Sequence, residues 1–134
     1  MRSSYIFVYG TLRAKVKESQ HTLIKQYTQY VGIGFVYGSL YNISWYPGVV
    51  LDKKSKKRVY GEIYRIKRAF YYKLIRQLDN YEECSSKFPK PHEYQRVITN
   101  AYLKRRKIRV WIYQYNLDTK GLHLIESGDF GKEK

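Results

Sequence analysis

Glu82 stands four residues after Leu78 and eight after Leu74, at the end of a stretch whose apolar residues recur at helical spacing. If the helix persists that far, its carboxylate lies on the apolar face and looks into the core. Desolvation then disfavours the charged form, and Glu83 next to it adds like-charge repulsion, so both effects push the pKa of Glu82 upward. A carboxyl group poised in this way can take a proton and return it, which is the work of a general acid/base. If the helix instead frays after Asp79, Glu82 is an ordinary surface acid.

A second chemical feature is the stretch Tyr5-Ile6-Phe7-Val8-Tyr9, which runs straight into Gly10-Thr11-Leu12-Arg13. Consecutive aromatic and β-branched residues read as a strand buried on both faces, and a buried strand holds the loop that follows it rigidly. Gly10 would let backbone N–H groups approach a bound anion closely. The competing reading is that Gly10 only turns the chain. Other chemistry has less support. His21, His92 and His123 are scattered without metal-ligand spacing, so no metal and no cofactor are expected. Cys84 follows two acids that disfavour a thiolate, which argues against a cysteine nucleophile.

The chain that must position these groups has 134 residues and is 43% hydrophobic, enough for one domain over residues 1–134 with a core that needs no disulfide. No charged leader with an apolar h-region opens it, and no apolar run approaches the ~20 residues of a membrane span. With a single cysteine, a cytoplasmic protein without membrane contact is expected. Its balance of 26 Lys+Arg against 11 Asp+Glu gives +15, and 16 tyrosines supply aromatic faces, so nucleic acid must be considered as a partner. The cations gather in two runs, Lys53-Lys54-Ser55-Lys56-Lys57-Arg58 and Lys104-Arg105-Arg106-Lys107-Ile108-Arg109. Each lies between strand-like segments, where lysines also serve to keep sheet edges soluble.

A weak amphipathic helix is expected from Lys15 to Tyr30, carrying Leu23, Ile24 and Tyr27. From Val31 to Tyr41 glycines alternate with apolar residues, the mark of a strand that bends or lies close to other backbone, as at a barrel corner. Trp45-Tyr46-Pro47-Gly48 reads as a turn before the short apolar stretch Val49–Leu51. Val59 to Ile66 alternates as a strand. Lys67 to Glu82 changes to helical period, with Phe70, Tyr71, Leu74, Ile75 and Leu78 as its stripe. Glu83 to Glu93 is a loop, and Tyr94–Leu103 with Ile108–Tyr115 makes a hairpin. Several strands and two irregularly placed helices predict an α+β fold with a mixed sheet, open or closed, rather than a doubly wound one.

Six motifs now stand in order: Tyr9-Gly10-Thr11-Leu12, Tyr46-Pro47-Gly48, Val59-Tyr60-Gly61-Glu62-Ile63-Tyr64, Leu78-Asp79-Asn80-Tyr81-Glu82, Tyr94-Gln95-Arg96 and Ser127-Gly128-Asp129-Phe130. In this order and spacing they resemble the gamma-glutamylcyclotransferase-like family, especially short members similar to gamma-glutamylamine cyclotransferase. The resemblance spans nearly the whole chain. It implies a small mixed β-barrel flanked by helices, with a cavity at the barrel mouth. It also implies a small-molecule γ-glutamyl substrate, cleaved by attack of its own α-amine with release of 5-oxoproline. Tyr9, Gly10, Thr11 and Leu12 would bind the glutamyl end, and Glu82 would be the catalytic acid/base. Family glycines are replaced by Glu83 and Ala14, where a side chain at positive φ would shift the local backbone. The alternative on the same scaffold is a non-catalytic basic module that binds nucleic acid or a small anion.

Overall fold

Strand β1 (Tyr5–Val8) is walled off on both faces, with Ile6, Phe7 and Val8 all buried. Its alternation sends Phe7 and the following Tyr9 into one apolar cluster and Ile6 and Val8 into another. The first cluster fills a barrel, and the second lies between that barrel and a helix. The computed structural model describes residues 3–9, 24–82 and 84–133. Gly10, Thr11, Leu12, Ala14, Glu83 and the expected helix from Lys15 to residue 23 lie outside the described residues.

The barrel closes through five strands. After β1 come β2 (Thr28–Asn42), β3 (Pro47–Leu51), β4 (Arg58–Ile66), β5 (Tyr94–Leu103), β6 (Arg106–Tyr115) and the short β7 (His123–Leu124). The ring runs β1–β4–β2–β3–β6 and back to β1. Its antiparallel joints include Phe7↔Ile63 and Val36↔Val59, and β6 is parallel to both neighbours at Val49↔Gln114 and Ile6↔Trp111. β5 forms a hairpin with β6 and meets β2 at Phe35↔Tyr102, while β7 pairs with β2 at Tyr41 and Asn42. This is the mixed sheet of an α+β fold that the pattern predicts, closed into the barrel that the family resemblance implies.

The glycine alternation in β2 marks where β5 crosses it. A Cβ on Gly34 would stand 2.6 Å from the Tyr102 carbonyl oxygen, so only glycine permits that approach. The register with β4 slips between Tyr30 and Gly32, which bends the long strand at the same place.

The helix Tyr71–Tyr81 buries Tyr71, Leu74, Ile75 and Leu78 against the outer side of the barrel, where Ile6, Val8, Ile66 and Tyr113 meet them. Four such side chains contribute about 1.5–3 kcal/mol each when fully buried, which is what fixes the helix to the barrel. Phe70, expected in that stripe, falls in a preceding 3₁₀ turn, Arg68–Phe70, and is exposed. The Lys67 N–H bonds the Tyr27 carbonyl and the Phe70 N–H bonds the Lys67 carbonyl, which tightens the turn before helical geometry begins.

Other boundaries also shift. Residues 24–27 are helical, but β2 starts at Thr28, whose hydroxyl donates to the Ile24 carbonyl at 2.6 Å and ends the helical segment. The turn expected at Trp45–Gly48 is displaced to residues 43–46, closed by the Ile43 N–H on the Tyr46 carbonyl at 2.9 Å. Pro47 and Gly48 already belong to β3, opposite Asn42 and Tyr41, since proline is tolerated as the first residue of a strand. In the second basic run only Lys104 and Arg105 form the turn, with Lys104 at φ 55, and β6 begins at Arg106 instead of Ile108.

The closing motif is a stopper for the barrel. Phe130 is buried in the interior cluster, and Gly128, at φ 70, presents its carbonyl to the Tyr60 N–H at 2.7 Å.

Candidate active site

The helix stops one residue before Glu82, which caps it with φ −83 and ψ 2 and donates its N–H to the Leu78 carbonyl at 2.9 Å. Glu82 is therefore half-buried at the helix end, between the two placements the spacing allowed. Its charge is felt by the groups around it. Burial is the main cause that raises the Tyr9 phenol far above its ordinary value, and Glu82 is the next. For Tyr94 burial again leads, followed by Tyr9 and then Glu82. The Cys84 thiol is pushed up to about 12 by burial, then by Asp79 and Glu82, which keeps it protonated as its neighbouring acids suggested.

Asp79, one turn before Glu82, ties this end of the helix to the barrel. Its carboxylate accepts Arg96 Nε at 2.8 Å and Nη2 at 3.2 Å, and the Tyr113 hydroxyl at 2.6 Å. Arg96 and Tyr113 are cross-strand partners of β5 and β6, so both reach the same acid from one face. The Arg96 guanidinium also lies 4.2 Å from the centre of the Trp111 ring, and Trp111 Nε1 donates to the Tyr71 hydroxyl at 2.8 Å in the first helical turn. The helix is thus tied to the barrel at both ends. Sequence reasoning did not give Asp79, Arg96, Tyr94 or Tyr113 a role. For the first three, the signal was their place in two of the ordered motifs.

The tyrosines beside Glu82 spend their hydroxyls on the barrel. Tyr9 donates to the Tyr113 carbonyl and accepts the Val49 N–H at 3.2 Å, joining three strands. Tyr94 donates to the Pro47 carbonyl, and Tyr46 donates to Glu93 Oε2. The Tyr94 ring sits 5.8 Å from that of Tyr115 and 6.3 Å from that of Tyr46, an aromatic wall next to the acid. A buried carboxylate, Glu62, lies opposite Val8 and accepts the Tyr64 hydroxyl at 2.8 Å. Tyr9 is the one predicted ligand-loop residue whose surroundings are described, and its ring lies in the neighbourhood of Glu82; Gly10, Thr11 and Leu12 follow directly from it. Among the described residues no three His, Cys, Asp or Glu are grouped to hold a metal, and no helix is long and apolar enough to cross a membrane.

The family model described as gamma-glutamyl cyclotransferase, AIG2-like, matches residues 6–132. The chain belongs to that family. A gamma-glutamylcyclotransferase family protein of Escherichia coli K12, YtfP, is 31% identical over 125 residues, covering 93% of this chain and 94% of YtfP. The solution structure of E. coli YtfP superposes with a TM-score of 0.64 at 30% identity, covering 97% of this chain and 99% of that one. YkqA of Bacillus subtilis gives a TM-score of 0.72 at 25% identity over 98% of this chain, which spans 41% of YkqA. An AIG2-like protein from mouse, 20% identical with a TM-score of 0.63 over 90% of this chain and 92% of its own, shares the fold. Of the six ordered motifs, the last five fall on β3, β4, the helix end, β5 and the stopper described above, and the first is described only at Tyr9.

Proposed function

We propose that the protein is a γ-glutamyl cyclotransferase in which Glu82 is the general acid/base. The α-amine of a γ-glutamyl amine or peptide attacks its own γ-carbonyl carbon. A C–N bond closes the five-membered ring, the original amide C–N bond breaks, and 5-oxoproline leaves with the free amine. The closure is intramolecular, so the main demand on the protein is to hold the glutamyl arm folded, with amine and carbonyl about 3–3.5 Å apart. Tyr9, Gly10, Thr11 and Leu12 take the glutamyl end in this reading, with backbone N–H groups of the loop on the α-carboxylate and others near the developing oxyanion. Glu82 removes a proton from the α-ammonium and delivers one to the departing amine.

What supports this reading is that Glu82, after burial, is the next cause that raises the Tyr9 phenol, and Tyr9 stands at the strand end just before the loop. The test is 5-oxoproline release from a panel of γ-glutamyl amines and peptides. Glu82→Gln, which keeps the size of the side chain, is expected to lower kcat by about 10²–10⁴. Release equal to wild type from that variant overturns the assignment.

A further inference from the structure

The two basic runs are separated by nearly fifty residues in the chain, yet they flank one aromatic strip on the outer face of the barrel. Phe35 of β2 has Tyr60 of β4 opposite on one side and Tyr102 of β5 opposite on the other, so the three rings form a row across three strands. Phe35 and Tyr102 stack at 5.5 Å with planes 25° apart, and Tyr37 adds a fourth ring 5.3 Å from Tyr102. All four are partly exposed. Burial of the intervening Val36, and of Val59 and Ala101 next to the ring-bearing residues, shows that the rings project outward.

Cations border this strip. Arg58, opposite Tyr37, lays its guanidinium 4.3 Å from the Phe35 ring centre, and Lys107 stands opposite Tyr102. Beyond Arg58, the carbonyl of Lys57 accepts the Gly38 N–H, so the first basic run begins where the strip ends. At the other end a depression of about 770 Å³ is lined by Tyr30, Ile33, Leu103 and the exposed Lys104, Arg105 and Arg106. Asp52, the acid at the start of the first run, is turned into its own loop, where it accepts the Lys54 N–H at 3.0 Å. From Ile33 to Gly38 the strip is ~17 Å long at the rise of an extended strand.

We propose that this face binds single-stranded nucleic acid, with bases stacked on Tyr102 and Tyr37 beside Phe35, and phosphates held by Arg58, Lys107, Lys104, Arg105 and Arg106. Flat rings set in a sheet and edged by cations match the π-faces and the backbone charge of an unpaired strand. A duplex hides its base faces, whereas an unpaired strand presents them to such rings. The strip shares no residue with Tyr9, Tyr94 and Cys84, the described groups that Glu82 influences, so the inference does not depend on the reaction proposed above.

The experiment is fluorescence anisotropy with a labelled 12-mer of oligo(U), the same length of oligo(dT), a duplex of equal length, and vesicles of phosphatidylserine with phosphatidylcholine. Wild-type protein is expected to bind both single strands about tenfold or more tightly than the duplex. Log affinity should fall with log salt at a slope of about −2 to −3, for three to four phosphates at −0.7 each. Tyr102→Leu, which keeps the apolar cover of the strip, should weaken binding about tenfold with the salt slope unchanged. Arg58→Gln with Lys107→Gln should instead flatten the slope by about 1.4. Circular dichroism and thermal unfolding establish that each variant is folded. Equal affinity for duplex and single strand, wild-type affinity in folded Tyr102→Leu, or binding to vesicles alone overturns the proposal.

Discussion

Arg96 Nε lies 2.8 Å from Asp79 Oδ1 while Nη2 reaches Oδ2 at 3.2 Å, a two-pronged pair that joins β5 to the last turn of the helix. The same carboxylate receives the Tyr113 hydroxyl, so one acid gathers two strands at the point where Glu82 begins. Asp79→Ala leaves a guanidinium and a phenol without their acceptor and should lower urea-unfolding stability by about 2–3 kcal/mol. Arg96→Lys keeps the charge but loses the planar fork and the face-on contact with Trp111, so a smaller loss of about 1 kcal/mol is expected.

Tyr9→Phe removes the hydroxyl that serves the Val49 N–H and the Tyr113 carbonyl deep in the barrel. Both backbone groups are then buried without that partner. A loss of about 2–4 kcal/mol is expected in chemical denaturation, larger than a surface Tyr→Phe change produces.

Gly128 and Gly121 both have positive φ, at 70 and 82, yet they differ in what surrounds them. A Cβ on Gly128 would meet the Arg58 carbonyl oxygen at 1.8 Å, whereas one on Gly121 would meet nothing within 4 Å. Gly121→Ala should therefore cost only the backbone term, about 1–2 kcal/mol. Gly128→Ala must also push the stopper off β4, and should unfold at a clearly lower temperature than Gly121→Ala or fail to accumulate as folded protein.

The Cys84 thiol, raised to about 12, should react slowly with iodoacetamide. At about pH 8.5 its thiolate fraction is on the order of 10³ lower than that of an unperturbed cysteine. Asp79 is the leading electrostatic cause of that shift, so Asp79→Asn should lower the thiol pKa and speed alkylation, measured by mass spectrometry under native conditions.

Tyr9, Tyr94 and Tyr113 all have phenols raised by burial above the value of 10.0 expected for an exposed tyrosine. Above that pH the unfolded chain releases these protons while the folded one keeps them, so the folded state binds more protons and stability falls as pH rises. The contribution is fully present below pH ~10 and is lost above it. Denaturant melts from neutral to alkaline pH should show this decline. The phenolate absorbance of these three groups should appear only with unfolding.

Hydrophobic alternation and periodicity made most of the architecture readable before any coordinates. The helix stripe of Tyr71, Leu74, Ile75 and Leu78, the buried first strand and the β5–β6 hairpin are local patterns, because burial on one face forces a repeat of 3.6 or 2. Boundaries were less legible. Phe70 fits the helical period, but a hydrogen bond to Tyr27 from a distant segment starts the helix later. Pro47-Gly48 has the composition of a turn, yet pairing with Tyr41 and Asn42 makes it strand.

Residue types and spacing alone singled out Glu82, the loop after Tyr9 and the two basic runs, since a carboxylate on an apolar stripe, a glycine after a buried strand and a block of like charge are each local facts. Tertiary structure decided what stands next to them. Asp79 receives Arg96 and Tyr113, Glu82 helps to raise the phenols of Tyr9 and Tyr94 after burial, and the basic runs border one aromatic row, all through packing between residues far apart in the chain. No periodicity encodes such neighbours, because closing a barrel joins segments whose separation along the chain carries no trace in local composition.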